Sequence, residues 1–102
     1  LSVNSVIFVF KQKTAYEIIN GNSGADNLLG GKGADTISGG TGADLIKGDS
    51  GEDTLSGNSG NDTILGGDGN DIITGGKNND TITGGRGNDE IRGDSGRTTE
   101  NQ

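Results

Sequence analysis

Residues 57–74 read GNSGNDTIL and then GGDGNDIIT. These are two nine-residue blocks with Gly at positions one and four, Asp at position six and Ile at position eight. The register extends outward in both directions without insertion or deletion. Upstream lie GNSGADNLL from Gly21, GGKGADTIS from Gly30, GGTGADLIK from Gly39 and GDSGEDTLS from Gly48; downstream lie GGKNNDTIT from Gly75 and GGRGNDEIR from Gly84. Eight complete blocks therefore occupy residues 21–92. A ninth, GDSGRTTEN from Gly93, has Thr98 at the Asp position and Glu100 at the apolar position, so residues 93–102 are read as a degenerate repeat and tail.

This period excludes the commoner repetitive folds. Collagen needs Gly at every third residue and is rich in Pro, of which this chain has none. A coiled coil tolerates neither the period nor the 22 glycines. A solenoid remains. Position eight is occupied by Leu28, Ile37, Ile46, Leu55, Ile64, Ile73, Ile82 and Ile91, mostly β-branched and flanked by Thr, Ser, Lys or Arg. That alternation predicts a three-residue strand with one side chain inward, preceded by a six-residue turn. If two blocks make one coil, strands pair 18 residues apart and the turns stack in two columns. One column then holds Asp26, Asp44, Asp62 and Asp80, the other Asp35, Asp53, Asp71 and Asp89, with coils about 4.8 Å apart. Gly at positions one and four is expected where φ is positive or backbones approach closely. The substitutes at positions two and four are Asn22, Asp49, Asn58, Asp94 and Asn78, the side chains that best tolerate the left-handed region.

Stacked carboxylates need a counter-charge. Eight aliphatic side chains are too small a core to offset the ordering of so long a chain, and rows of like charge oppose folding further. A hard divalent cation relieves both deficits. Calcium suits a flexible shell of six or more oxygens at about 2.3–2.6 Å, whereas magnesium keeps its waters and a strict octahedron. Backbone capping by Asp is the alternative. It is disfavoured because Asn never replaces Asp at position six in the eight blocks.

The blocks match G-G-x-G-x-D-x-U-x, with U a large apolar residue, and so the chain resembles the RTX (repeats-in-toxin) hemolysin-type calcium-binding proteins over residues 21–92. The resemblance implies an all-β fold, a parallel β-roll that is a right-handed β-solenoid of short strands and Gly/Asp-rich turns. It implies calcium as the cofactor. The expected ligands are the side chains of Asp26, Asp35, Asp44, Asp53, Asp62, Asp71, Asp80 and Asp89. Turn carbonyls around Gly31, Gly33, Gly40, Gly42, Gly51, Gly60, Gly67, Gly69, Gly76, Gly85 and Gly87 would complete the shells, with about six shared sites if every gap in both columns fills. In this family the repeats accompany type I secretion of larger chains, among them toxins, metalloproteases, lipases and adhesins. The chain is therefore expected to be a piece of a larger secreted, extracellular protein, exported unfolded and folding on extracellular calcium. A calcium-stiffened structural or adhesive spacer of a cell-surface protein is the alternative.

Composition narrows the function further. With no His and no Cys there is no ordinary zinc site, thiol nucleophile, Ser-His-Asp triad or disulfide. No enzymatic activity is expected of this chain. A net charge of -7 disfavours nucleic acid and anionic membrane as partners. Gly48-Asp49-Ser50-Gly51 and Gly93-Asp94-Ser95-Gly96 mimic a serine-protease tetrad but fall in repeat register. The Thr and Ser pairs flanking position eight, such as Thr36 with Ser38, read as a solvated strand face rather than an ice-binding one. Residues 1–20 differ in composition. Val6–Phe10 is too short for a membrane span and lacks the flanks of a signal peptide. Glu17 and Ile19 fall at the Asp and apolar positions of a degenerate block, which suggests an edge strand. The stretch KQKTAYEI, residues 11–18, also resembles a translated sequencing adapter, which would make residues 1–18 foreign to the natural protein.

Overall fold

Alternation at positions seven to nine demands extended chain there, and the Gly that follows ends each extended run. The computed structural model describes residues 18–93 and the main chain of residues 98–101. Its strands are β1 (Ile18–Asn20), β2 (Asn27–Leu29), β3 (Thr36–Ser38), β4 (Leu45–Lys47), β5 (Thr54–Ser56), β6 (Thr63–Leu65), β7 (Ile72–Thr74), β8 (Asp80–Thr83), β9 (Glu90–Arg92) and β10 (Thr98–Asn101). Among the described residues there is no helix, hence none long and apolar enough to cross a membrane.

Consecutive strands alternate between two parallel five-stranded sheets, ordered β1-β3-β5-β7-β9 and β10-β8-β6-β4-β2. Pairing follows the 18-residue offset throughout, for example Ile19 with Ile37, Leu28 with Ile46 and Leu55 with Ile73. The fold is thus a β-solenoid with two blocks per coil. Pairing also continues into the degenerate ninth block, where β10 sets Thr98 beside Asp80 and Glu100 beside Ile82. Main-chain groups, which every residue supplies, suffice for that ladder even where the side-chain pattern has lapsed. Residues 1–17, including Glu17, lie outside the described residues, as do Asp94 and Ser95.

The core is two facing rows of single side chains. Ile19, Leu28, Ile37, Ile46, Leu55, Ile64, Ile73 and Ile82 are all at most 1% exposed, and Ile91 packs against them partly buried. On the outer faces of the sheets, Leu29, Leu45 and Leu65 are half-buried. Ile72, at position seven like Leu45 and on the outer face of β7, is more exposed, at 48%.

Glycine answers two separate needs. Position two and position four take positive φ, as at Gly67 (91°) and Gly42 (103°). Among the described residues, the non-Gly residues with positive φ are Asn22, Asp49, Asn58 and Asn78, each at one of those positions. Position one is governed by space instead. A Cβ on Gly21 would meet the Gly39 carbonyl oxygen at 2.5 Å and Asp26 Oδ2 at 2.7 Å. The turns are also stitched directly, since Thr41 N–H donates to the Asn22 carbonyl and Lys77 N–H to that of Asn58, both at 2.8 Å.

Three stability outcomes follow. Gly42→Ala places a side chain at a strained φ and against the Gly24 carbonyl, so it should cost at least about 1–3 kcal/mol. Ile64→Ala should cost about 2–5 kcal/mol, whereas Ile72→Ala should stay within about 0.5 kcal/mol. Denaturant titration of the calcium-loaded chain measures all three.

Candidate metal centre

Each Asp at position six ends a turn and precedes a strand or, as Asp80 does in β8, begins it, and its side chain enters the space between two coils. Asp26, Asp35, Asp44, Asp53, Asp62, Asp71 and Asp80 are at most 3% exposed, and Asp89, in the last complete block, is half-buried. The two carboxylate oxygens have different surroundings. Oδ1 accepts the backbone N–H of the Asp 18 residues earlier: Asp44 from Asp26 at 2.8 Å, Asp62 from Asp44 at 2.8 Å, Asp80 from Asp62 at 2.9 Å. The other column repeats this with Asp53, Asp71 and Asp89 as acceptors, each at 2.9 Å. Backbone capping, disfavoured on the sequence, therefore does occur. It engages one oxygen of the pair and leaves the question of charge to the other.

Oδ2 is buried without a hydrogen-bond partner in Asp44, Asp62, Asp71, Asp80 and Asp89, and in Asp26 both oxygens are so placed. A buried anionic oxygen without a donor costs several kcal/mol unless a cation or proton meets it. Each Oδ2 lies over the position-one Gly of its own block, and in the six blocks from Gly21 to Gly66 the position-one carbonyl of the next coil approaches the same space. The empty Cβ position of Gly66 is 2.6 Å from both Asp71 Oδ2 and the Gly84 carbonyl oxygen. This cradle of one carboxylate oxygen and one carbonyl exists only because the residue is Gly.

The donor set fits a hard, oxygen-seeking cation. Among the described residues no three acidic side chains gather as a carboxylate cluster. A cation here would draw on one or two Oδ2 atoms and on turn carbonyls. The position-two carbonyls of Gly40 and Gly67, counted among the candidate ligands, accept the N–H of Ser59 and Arg86 at 3.0 and 3.1 Å. At position four, the carbonyls of Gly33, Gly42, Gly51 and Gly69 abut the α-carbon side of the Gly one coil later. Gly31, Gly60, Gly76, Gly85 and Gly87 occupy equivalent turn positions, all with positive φ. The position-one carbonyls of Gly39 and Gly84, which sequence reasoning did not single out, are the ones brought beside Oδ2. The Gly at position one of every block was the available signal.

Asparagine supplies neutral counterparts to these contacts. Asn61 Oδ1 accepts the N–H of Asn79 at 2.9 Å, Asn70 Oδ1 that of Asn88 at 2.7 Å, and Asn78 Oδ1 that of Gly60 at 2.9 Å. Ala25, Ala34 and Ala43 hold position five in the first three blocks and lack such a group.

Burial raises the carboxyl pKa of Asp44 and of Asp71 to about 6 and that of Asp62 to about 7, and it raises that of Asp80. Column neighbours add to the rise: Asp26 beside Asp44, Asp44 and Asp80 beside Asp62, Asp89 beside Asp71.

These features are those of a β-solenoid whose stacked turns offer oxygen donors suited to a hard cation. The profile of the RTX calcium-binding nonapeptide repeat (4 copies) matches residues 20–55, 47–82 and 65–99, and the chain belongs to that family. RTX repeats bind calcium. No curated protein and no solved structure gave a significant match.

The acid–base consequence has a definite sign. Because the folded pKa values lie above the ordinary carboxylate value, metal-free stability from these groups is complete below about pH 4 and lost as pH rises through about 6 to 7. In chelator, the far-UV β signal should therefore grow as pH falls from neutrality, and the calcium midpoint should move to lower calcium as pH rises. Asp62→Asn retains the acceptor for Asp44 N–H but removes the charge. It should strengthen the metal-free fold at neutral pH while weakening the calcium response, as read by paired titrations.

Proposed function

We propose that this chain is a non-enzymatic calcium-responsive folding module, in which Asp26, Asp35, Asp44, Asp53, Asp62, Asp71, Asp80 and Asp89 ligate calcium through their side chains and turn carbonyls complete the shells. The observation that carries the reading is the stack of buried aspartates with Oδ2 atoms that meet no hydrogen-bond donor, as in Asp44, Asp62 and Asp80. At neutral pH and without a cation, their ionisation opposes the packing that buries them. Bound calcium supplies positive charge between coils. The residues themselves hold the turns: Oδ1 ties consecutive coils together and Gly admits Oδ2 to the cradle.

Such a module suits a protein that must be unfolded in one compartment and folded in another. Extracellular calcium modules operate at about 10⁻⁴–10⁻³ M, a range that the ordering cost of this array favours. The module is thus assigned to a larger secreted chain, passing through a type I system unfolded and folding outside, where it supports the folding of the attached toxin or hydrolase.

Far-UV circular dichroism of the full 102-residue chain during calcium titration tests the reading. A cooperative, chelator-reversible gain of β signal near millimolar calcium, absent with magnesium, is expected. A full β signal in chelator at neutral pH, or an equal response to magnesium, would overturn it.

A further inference from the structure

We infer that Asn20–Gly21 is a site of spontaneous deamidation that calcium-driven folding closes, so that the first coil records chemically how long the chain has gone without calcium. This rests on the calcium-responsive folding proposed above. Asn20–Gly21 is the sole Asn-Gly pair in the sequence. The chemistry is intramolecular. The Gly21 nitrogen attacks Asn20 Cγ, forming the N–Cγ bond of a five-membered succinimide while the Cγ–Nδ2 bond breaks. The Gly21 amide proton leaves with the departing group as ammonia. Water then opens the ring at either carbonyl, giving Asp or isoaspartate, with no change of oxidation state. Glycine favours the attack because it carries no Cβ to shield its nitrogen and leaves the chain free to turn.

Each of those requirements is blocked in the folded coil. Asn20 ends β1 in extended chain, paired with Ser38, and its side chain is exposed to solvent. Gly21 is buried, and its N–H donates to the Ser38 carbonyl at 2.8 Å. The Gly39 carbonyl and Asp26 Oδ2 crowd the α-carbon of Gly21, at 2.5 and 2.7 Å from its empty Cβ position. Reaction therefore requires β1 to leave the sheet. Once formed, isoaspartate lengthens the main chain by one methylene. That puts Asn20 out of step with Ser38, loosens Ile19 from Ile37 and adds a negative charge close to Asp26.

The test incubates the full chain at mildly alkaline pH with chelator or with saturating calcium, following the peptide that spans residues 20 and 21 by mass spectrometry. Circular dichroism of the same samples reports folding. Asn20→Gln, an exposed outward change, is the control in which fragmentation of that peptide finds no gain at residue 20, any gain at Asn22 being scored separately. The expected result is a gain of one mass unit in chelator, slowed at least about tenfold in calcium because only the opened state reacts. Equal rates in samples that fold with calcium overturn the inference, since β1 would not be protecting the bond. Equal rates without any calcium-induced β signal overturn it too, and then lay the failure on the calcium-folding reading.

Discussion

The hydrogen bond from each aspartate Oδ1 to the N–H of the aspartate one coil earlier is the contact on which the rest of the solenoid depends. It links Asp26 to Asp44, Asp44 to Asp62 and Asp62 to Asp80 in one column, and the same bond runs through the other. A neutral acceptor could make that bond too, though a weaker one. A carboxylate brings a second oxygen into a space sealed from water, and with it a charge that must be matched. Stability is thereby tied to whatever supplies positive charge, a proton at low pH or a divalent cation at neutral pH.

Little else in the molecule can compensate. The apolar core is one residue wide in each sheet, from Ile19 to Ile91 on one side and from Leu28 to Ile82 on the other. An ordinary domain stacks several apolar layers and tolerates an unmatched polar atom or two. Here the polar columns are as long as the apolar rows. Turn chemistry consequently weighs as heavily as hydrophobic burial, and the glycines that permit close stacking are as restrictive as the core.

Under the proposed function, dependence on an external cation would turn a thermodynamic weakness into a means of control. Membership of the RTX calcium-binding repeat family is consistent with the buried oxygen chemistry, which favours a large hard cation over a borderline-soft metal. The asparagine contacts modulate this along the chain. In the later blocks, Asn61, Asn70 and Asn78 join turns through neutral amides, whereas the early blocks place Ala at position five and rely on the carboxylate columns and the main chain.

The nine-residue period, the aspartate at position six and the aliphatic residue at position eight were sufficient to derive two-block coils, an 18-residue strand offset and the two aspartate columns. These are consequences of covalent spacing and of strand alternation, both local in the chain. The left-handed turn positions were legible too, because Asn22, Asp49, Asn58 and Asn78 substitute only where φ is positive. Three matters were decided by tertiary structure alone. They are the division of labour between Oδ1 and Oδ2, the approach of position-one carbonyls to the carboxylates, and how far each outward side chain is covered, Ile72 being exposed where Leu45 is half-buried. Each depends on which atoms of a residue 18 places away, or on which side of a sheet, become neighbours. A linear pattern records that a carboxylate recurs, but the orientation of its two oxygens is set only when one coil packs on the next.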